Sequence, residues 1–314
     1  MKKIISPILL LSAAILWGFS FVAQKATTIV PTFTLLFSRS IIAVIALIPA
    51  VITLDRVSSN GRKLFSLKQK KIGITKRELL GGTLCGAFLF IASALQQQGM
   101  AENTDAGKTA FITALYVVIV PVYAVIFGKK SPLNAWIGVA IATVGFYLLC
   151  INEGFSIAPS DLLVFACAFA FAAQILVVDK LLPTCDGVRL SLVQFSAVTL
   201  FSLIAVLIFE LPFVLPKILE VLPEILYLGI VSSGIAYTLQ IVGQKNSEPA
   251  VASILLSLES VFGALFSALI LSEKMSPKEY VGCAVILLAV LVAELDFKSL
   301  YHKLKSAPES TKEG

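Results

Sequence analysis

Ten apolar runs, each close to the length of a membrane-crossing helix, dominate this chain and leave little room for anything else. They cover residues 4–24, 32–54, 79–99, 106–127, 133–151, 160–178, 190–209, 222–243, 249–271 and 278–295. A helix rises 1.5 Å per residue, so about 20 such residues bridge the hydrocarbon core of a bilayer. The runs are continuously apolar and not alternating, which argues against a membrane β-barrel. Of 314 residues, 58% are hydrophobic and only 14% charged, an apolar excess that no water-exposed surface accommodates. A soluble enzyme, a disordered chain and a disulfide scaffold are therefore excluded. The sequence between the runs is too short for a separate catalytic domain.

The breaks carry turn and polar chemistry. Pro31 precedes the second run, Gly128-Lys129-Lys130-Ser131-Pro132 the fifth, and Asn152-Glu153-Gly154 the sixth. Pro132 and Pro277 suit the first turn of a helix, where a missing N–H is harmless. The division at Glu210–Val221 is the least distinct, because Leu211 to Leu215 stay apolar. Lys2 and Lys3 before an apolar run resemble a secretory leader. That run reaches about residue 23 and ends in Gln24-Lys25 without a small-residue cleavage pattern, so a retained helix is expected.

Charge placement orients the spans. With the N-terminus inside, the cytoplasmic segments hold 19 of the 25 basic residues, the outer segments hold Lys25, Lys108, Lys217, Lys274 and Lys278, and Arg39 lies within a span. The positive-inside rule expects this asymmetry for an even number of helices with both termini cytoplasmic. The net charge of +6 follows from it. The basic stretch from Arg56 to Arg77 reads as a topology determinant against anionic lipid, and no nucleic-acid partner is expected. Cys85, Cys150, Cys167, Cys185 and Cys283 fall within or beside spans with no CxxC pair, so no structural disulfide is expected. The single histidine, His302, lies in the polar tail, and neither a metal nor a cofactor is expected.

The order of residues carries more than their composition. Phe19-Ser20-Phe21-Val22-Ala23-Gln24 resembles Phe169-Ala170-Phe171-Ala172-Ala173-Gln174 at an offset of 150. Glu78, Gln98 and Glu102 map to Glu224, Gln244 and Glu248 at 146, Lys129-Lys130-Ser131-Pro132 to Lys274-Met275-Ser276-Pro277 at 145, and Gly138 to Gly282 at 144. Slowly drifting offsets in chain order signify a duplication. The expected domains are a first five-helix repeat, 1–152, a second, 153–297, and a cytoplasmic tail, 298–314. An odd number of spans per repeat forces the second to enter from the opposite side. Such inverted repeats rock around a midplane site in many secondary transporters.

Three segments resemble the EamA family of the drug/metabolite transporter superfamily. They are Trp17-Gly18-Phe19-Ser20-Phe21, Ala110-Phe111-Ile112-Thr113-Ala114-Leu115-Tyr116-Val117 and Ser257-Leu258-Glu259-Ser260-Val261-Phe262-Gly263-Ala264-Leu265. Ser260 stands where that family commonly has proline, which calls a proline-dependent kink there into question. Ser272-Glu273 stands where the family has Gly-Glu. The resemblance covers residues 4 to about 295. It implies an all-α integral membrane fold, with ten transmembrane helices in two inverted five-helix EamA-type repeats, and transport of small metabolites, often amino-acid export.

A transport cavity needs polar or aromatic groups on inward helix faces. Two ionisable groups lie well inside spans, Arg39 and Glu259. Glu259 is near the midplane, where an acidic residue costs about 2.5–3.5 kcal/mol. It is a candidate for binding an amine or cation or for proton coupling, against a structural carboxyl bonded to a neighbouring helix. Arg39 is a candidate anion clamp, against a structural partner or a side chain snorkelling to a lipid headgroup. Ser233, Tyr237, Gln240 and Gln244 fall at i, i+4, i+7 and i+11, one stripe of an α-helix. Trp17, Ser20 and Gln24 share a face of the first span, and Thr109, Thr113 and Tyr116 a face of the fourth. Gln174 is the repeat counterpart of Gln24. Gln96-Gln97-Gln98 ends the third span and reads as a solvated helix end with one or two side chains inward. Gly82/Gly86, Gly138/Ala142 and Gly263/Ser267 are small-xxx-small pairs that permit close crossings.

The function expected is a secondary transporter for small metabolites in the cell membrane, its partners a small-molecule substrate, lipid and a coupling proton. An intramembrane enzyme needs a nucleophile–base pair, paired carboxylates or a metal cluster, and one midplane glutamate supplies little of that. A channel needs rings of like groups, whereas one repeat alone carries the acid.

Overall fold

The computed structural model describes residues 2–59, 73–102, 104, 106–129, 131–150, 158–270 and 276–294. Most of the basic stretch Arg56–Arg77, the Asn152-Glu153-Gly154 break, Lys130, Ser272-Glu273, Lys274, Met275 and the tail with His302 lie outside the described residues.

Every element among the described residues is helical. The first helices are α1 (Lys2–Ala26), α2 (Thr32–Ser59) and α3 (Lys76–Ala101). A broken pair follows, α4 (Ala106–Ala114) and α5 (Tyr116–Ile126), and then α6 (Leu133–Cys150). After the second loop come α7 (Pro159–Leu181), α8 (Gly187–Phe209) and the short α9 (Leu215–Glu220). Next are α10 (Leu222–Leu226), a π-helical stretch (Tyr227–Ala236) and α11 (Tyr237–Gln244), which run on as one segment. The chain closes with α12 (Pro249–Leu256), α13 (Glu259–Ile270) and α14 (Pro277–Glu294). Eight helical segments are long and apolar enough to cross a membrane. Helices α6 and α14 have 18 residues each and pack along one another.

Local chemistry fixes the helix ends. Thr75 and Glu78 form a capping box at the start of α3. The other carboxylate oxygen of Glu78 accepts from Asp186 N at 2.9 Å, and Asp186 itself caps α8 by accepting from Val188 N and Arg189 N. Proline occupies the first position of α7, α12 and α14. The indistinct stretch after residue 209 is a real break. There Glu210 turns back to accept from Phe33 N at 2.8 Å and Thr34 N at 2.7 Å, capping α2 from outside its own segment.

Close crossings are set by missing side chains. A Cβ on Gly86 would lie 2.6 Å from Gln194 O and 2.7 Å from Ala197 Cβ, so α3 and α8 meet only with glycine there. A Cβ on Gly18 would lie 2.4 Å from Phe262 Cβ, which sets α1 against α13. Gly263, in contrast, leaves ordinary room around itself, and the close approach belongs to its neighbour's backbone and Gly18. Four cysteines, Cys85, Cys167, Cys185 and Cys283, are free thiols.

The helix contacts fall into matched sets. α1 packs on α13 and α4–α5 on α7; α2 packs on the π stretch and α8 on α3; α3 packs on α7 and α11 on α1.

Candidate functional site

Three of the spans are irregular near their middles. Between α4 and α5 the ladder tightens at Leu115, with Leu115 N bonded to Ile112 O and Val118 N to Leu115 O. Between α12 and α13 it tightens again, with Leu258 N on Leu255 O and Ser260 N on Ser257 O. No proline is involved, so the break next to Glu259 survives the serine at position 260. The third irregularity is the ten-residue π stretch, Tyr227–Ala236.

Irregular backbone at membrane depth is stable only where protein satisfies it. Ser257 Oγ donates to Ile254 O at 2.8 Å and Ser260 Oγ to Ala110 O at 2.9 Å, the latter joining α13 to α4. Trp17 Nε1 donates to Ser232 O at 3.2 Å within the π stretch. Each irregular segment places residues on one shared cavity of about 40 Å³. Thr113 and Tyr116 flank one break, Leu256 and Glu259 the other, and Ser232 and Tyr237 belong to the third segment or its edge.

Ten of the thirteen residues expected on site-facing stripes line this cavity: Trp17, Ser20, Gln24, Arg39, Thr113, Tyr116, Gln174, Tyr237, Gln240 and Glu259; Thr109 is buried outside it. Gln244 does not line it either; it sits one helix turn beyond Gln240 and donates to Ile175 O at 3.5 Å. Ser233 likewise leaves the expected stripe. The wider π turn rotates the register, so Ser232 lines the cavity and Ser233 faces α2. Arg39 does not snorkel outward. It is 8% exposed, and its Nε donates to Ser233 Oγ at 3.1 Å. Trp17 packs edge-on against Tyr237 at 4.6 Å and is buried inside the protein.

The glutamine triplet is not a solvated end. Gln96 and Gln97 are buried, with Gln96 Nε2 donating to Thr113 Oγ1 at 2.9 Å and Gln97 Nε2 to Gln24 O at 3.5 Å. Gln98 turns away to accept from Thr32 and to donate to Glu102. Ser93, Phe171 and Ser232 are cavity residues that no stripe of polar residues picked out, and Gln96 is one of the inward side chains the triplet allowed. For Gln96 the signal was there, since an amide one turn inside a span has few apolar neighbours to satisfy it.

The polar wall is networked but incomplete. Gln240 Nε2 donates to Gln174 Oε1 at 3.1 Å, and Gln174 Nε2 donates to Gln194 Oε1 at 2.9 Å. Gln240 Oε1 is buried with no partner, and so is Tyr116 Oη, which stands beside the Glu259 carboxyl without a well-formed hydrogen bond to it. The ion pairs among the described residues are Lys108–Asp161 and Lys129–Asp179. Arg39 and Glu259 therefore share a cavity while paired neither to each other nor to another charged side chain among those residues.

The EamA-like transporter family matches the chain twice, over residues 4–151 and 158–294. An uncharacterized transporter of Archaeoglobus fulgidus is 31% identical over 219 residues, 68% of each chain. One of Methanothermobacter thermautotrophicus is 23% identical over 245 residues, 76% of this chain and 69% of that one. A solved crystal structure superposes with a TM-score of 0.71 at 19% identity, covering 96% of this chain and 99% of the other, and so shares the fold. The chain is a multi-pass membrane transporter. It belongs to the EamA-like transporter family, within the drug/metabolite transporter superfamily.

Proposed function

We propose that this transporter moves small amino-acid-like zwitterions across the cell membrane, in the direction of export, by alternating access. The observation that carries the reading is the pair Arg39 and Glu259, opposite in sign, each without an ion-pair partner among the described residues, on one cavity between helix breaks. A ligand carboxylate satisfies the guanidinium, which keeps Ser233 through Nε. A ligand amine satisfies the Glu259 carboxyl. When no ligand is present, a proton can take the amine's place on Glu259, which links transport to the proton gradient. Trp17, Ser20, Gln24, Thr113, Tyr116, Gln174, Tyr237 and Gln240 complete the binding surface.

The same reading takes the chain as ten spans in two inverted five-helix repeats, with both termini cytoplasmic. Two observations support it. The family pattern occurs twice in tandem. The helix contacts also exchange under a swap of the repeats: α1 on α13 corresponds to α7 on α4–α5, and α2 on the π stretch to α8 on α3. Breaks in the fourth and ninth runs, at Leu115 and at Ser257–Leu258, fall in corresponding spans, as discontinuous helices do in inverted-repeat transporters.

Reconstitution into proteoliposomes and counterflow against a broad panel of amino acids and other metabolites tests the function. Saturable flux for zwitterionic compounds is expected. The absence of saturable flux for every compound contradicts it.

A further inference from the structure

The two ion pairs have an unexplained placement. Lys108 is the third residue of α4 and Asp161 the third residue of α7. Lys129 follows the end of α5, and Asp179 is the third residue from the end of α7. Both pairs therefore join the same two spans, one pair at each end, and these spans come from different family repeats. The first pair is reinforced, since Asp161 also accepts from Thr104 Oγ1 at 3.1 Å and Ala158 N at 2.7 Å. Between the pairs, α7 packs against both α4 and α5. Ion pairs acting as alternating gates close one end while the other opens. Here both ends are closed along a seam packed throughout.

The opposite side of the cavity is built the same way. There α1 and α13, again from different repeats, meet where Gly18 admits the backbone of Phe262 and Gly263. The two assemblies pack on one another where α4 lies against α13 and α1, and the Ser260 Oγ bond to Ala110 O crosses that contact. Each carries its own binding residues: Thr113, Tyr116 and Gln174 on the clamped wall, Trp17, Gln24 and Glu259 on the other.

We propose that the bodies that move in transport are these two walls and not the two sequence repeats, with Lys108–Asp161 and Lys129–Asp179 as positioning pairs that hold α4, α5 and α7 rigid throughout the cycle. The inference rests on the transport reading above, and it corrects the simplest mechanical picture of a duplicated transporter, in which one repeat rocks against the other. The two pairs keep Thr113 and Tyr116 in fixed register with Gln174 on one face of the site, while the facing wall carries Glu259 past them.

The test uses the full chain with Cys85, Cys150, Cys167, Cys185 and Cys283 replaced. Lys108→Cys with Asp161→Cys, and Lys129→Cys with Asp179→Cys, are bridged by a short reducible bis-thiosulfonate linker, singly and together. Counterflow of a labelled amino-acid mixture is expected to stay within about twofold of the reduced protein, as for a link between parts that do not move relative to one another. Loss of flux on linking either end, restored by reduction, overturns the proposal and makes that pair a gate. A second measurement leaves the ion pairs intact. Spin labels at the exposed positions Gly107 and Leu162, and at Phe127 and Lys180, report the distance across each end. One narrow distance per end, unchanged by the amino-acid mixture or by pH, is expected; two populations or a shift at either end overturns the proposal. If reduced and linked proteins are both silent in counterflow, the transport reading fails, and the label distances still decide the wall.

Discussion

Replacing Arg39 by glutamine removes a guanidinium whose Nε is held by Ser233 Oγ at 3.1 Å and whose remaining N–H groups are left for a ligand. Arg39 is 8% exposed and has no carboxylate partner among the described residues, so a bound carboxylate is its counter-charge. Removing one partner of a buried, hydrogen-bonded charge pair costs about 2 kcal/mol at the least, or roughly 30-fold in affinity. The loss is selective by chemistry. An amino acid and the amine left when its carboxyl is removed differ only in the group that Arg39 reads. Thermal stabilisation of the purified protein, titrated with both, gives the ratio of their affinities. The unchanged protein is expected to favour the amino acid by at least about 30-fold, and Arg39→Gln to bring the ratio close to one. Glu259→Gln is the mirror experiment, removing the preference for an amino acid over its deaminated acid. If Arg39→Gln weakens amino acid and amine by the same factor, Arg39 supports the fold and does not read a carboxylate, and the charge-complementarity argument fails.

Three further outcomes follow from the packing and capping. Gly86→Val pushes a side chain against Gln194 O and Ala197 Cβ, both under 3 Å from the first added carbon, and is expected to lower stability by about 1–3 kcal/mol; Gly107→Ala, with nothing within 4 Å, is the control that leaves the melting temperature unchanged. Ser260→Pro removes the N–H that bonds Ser257 O as well as the hydroxyl that bonds Ala110 O, and is expected to keep the break before α13 while costing about 2 kcal/mol, about 1 per bond. Denaturant titration in detergent checks it, and a loss of several kcal/mol contradicts the account of that break. Glu210→Ala strips the cap from Phe33 N and Thr34 N and is expected to cost about 0.5–2 kcal/mol, with faster amide exchange confined to the start of α2.

Much of this arrangement was legible in the residues, for definite physical reasons. A span is recognised by length and hydropathy because the bilayer sets both, and proline at helix starts marks α7, α12 and α14. A polar side chain inside a span is rare because it is expensive, so Trp17, Gln24, Arg39, Gln174 and Glu259 stand out one by one, and they line one cavity. What periodicity could not carry was the departure from the α-helix. The π stretch exchanges the roles of Ser232 and Ser233, because a stripe at 3.6 residues per turn no longer describes that face, while Gln244 keeps the face of Gln240 but lies a turn beyond the cavity. The breaks at Leu115 and Ser257–Leu258 have no proline or glycine to announce them and are satisfied by serines whose partners lie on their own helix or on another. Gln96 and Arg39 were left between alternatives for a related reason. Their distance from a span end suggests access to water or headgroups, while their hydrogen bonds to Thr113 and Ser233 turn them inward.

Alternating access is tested most directly by a single cysteine at Ser20, on the cavity wall, in the otherwise cysteine-free protein reconstituted in one orientation. Membrane-impermeant thiosulfonate is applied to one face or the other. The account predicts labelling from either face, slowed by saturating substrate amino acid, with any condition that speeds labelling from one face slowing it from the other. Labelling that rises from both faces together indicates a continuous pore, and labelling from neither face indicates a sealed structural cavity; either result contradicts transport through this site.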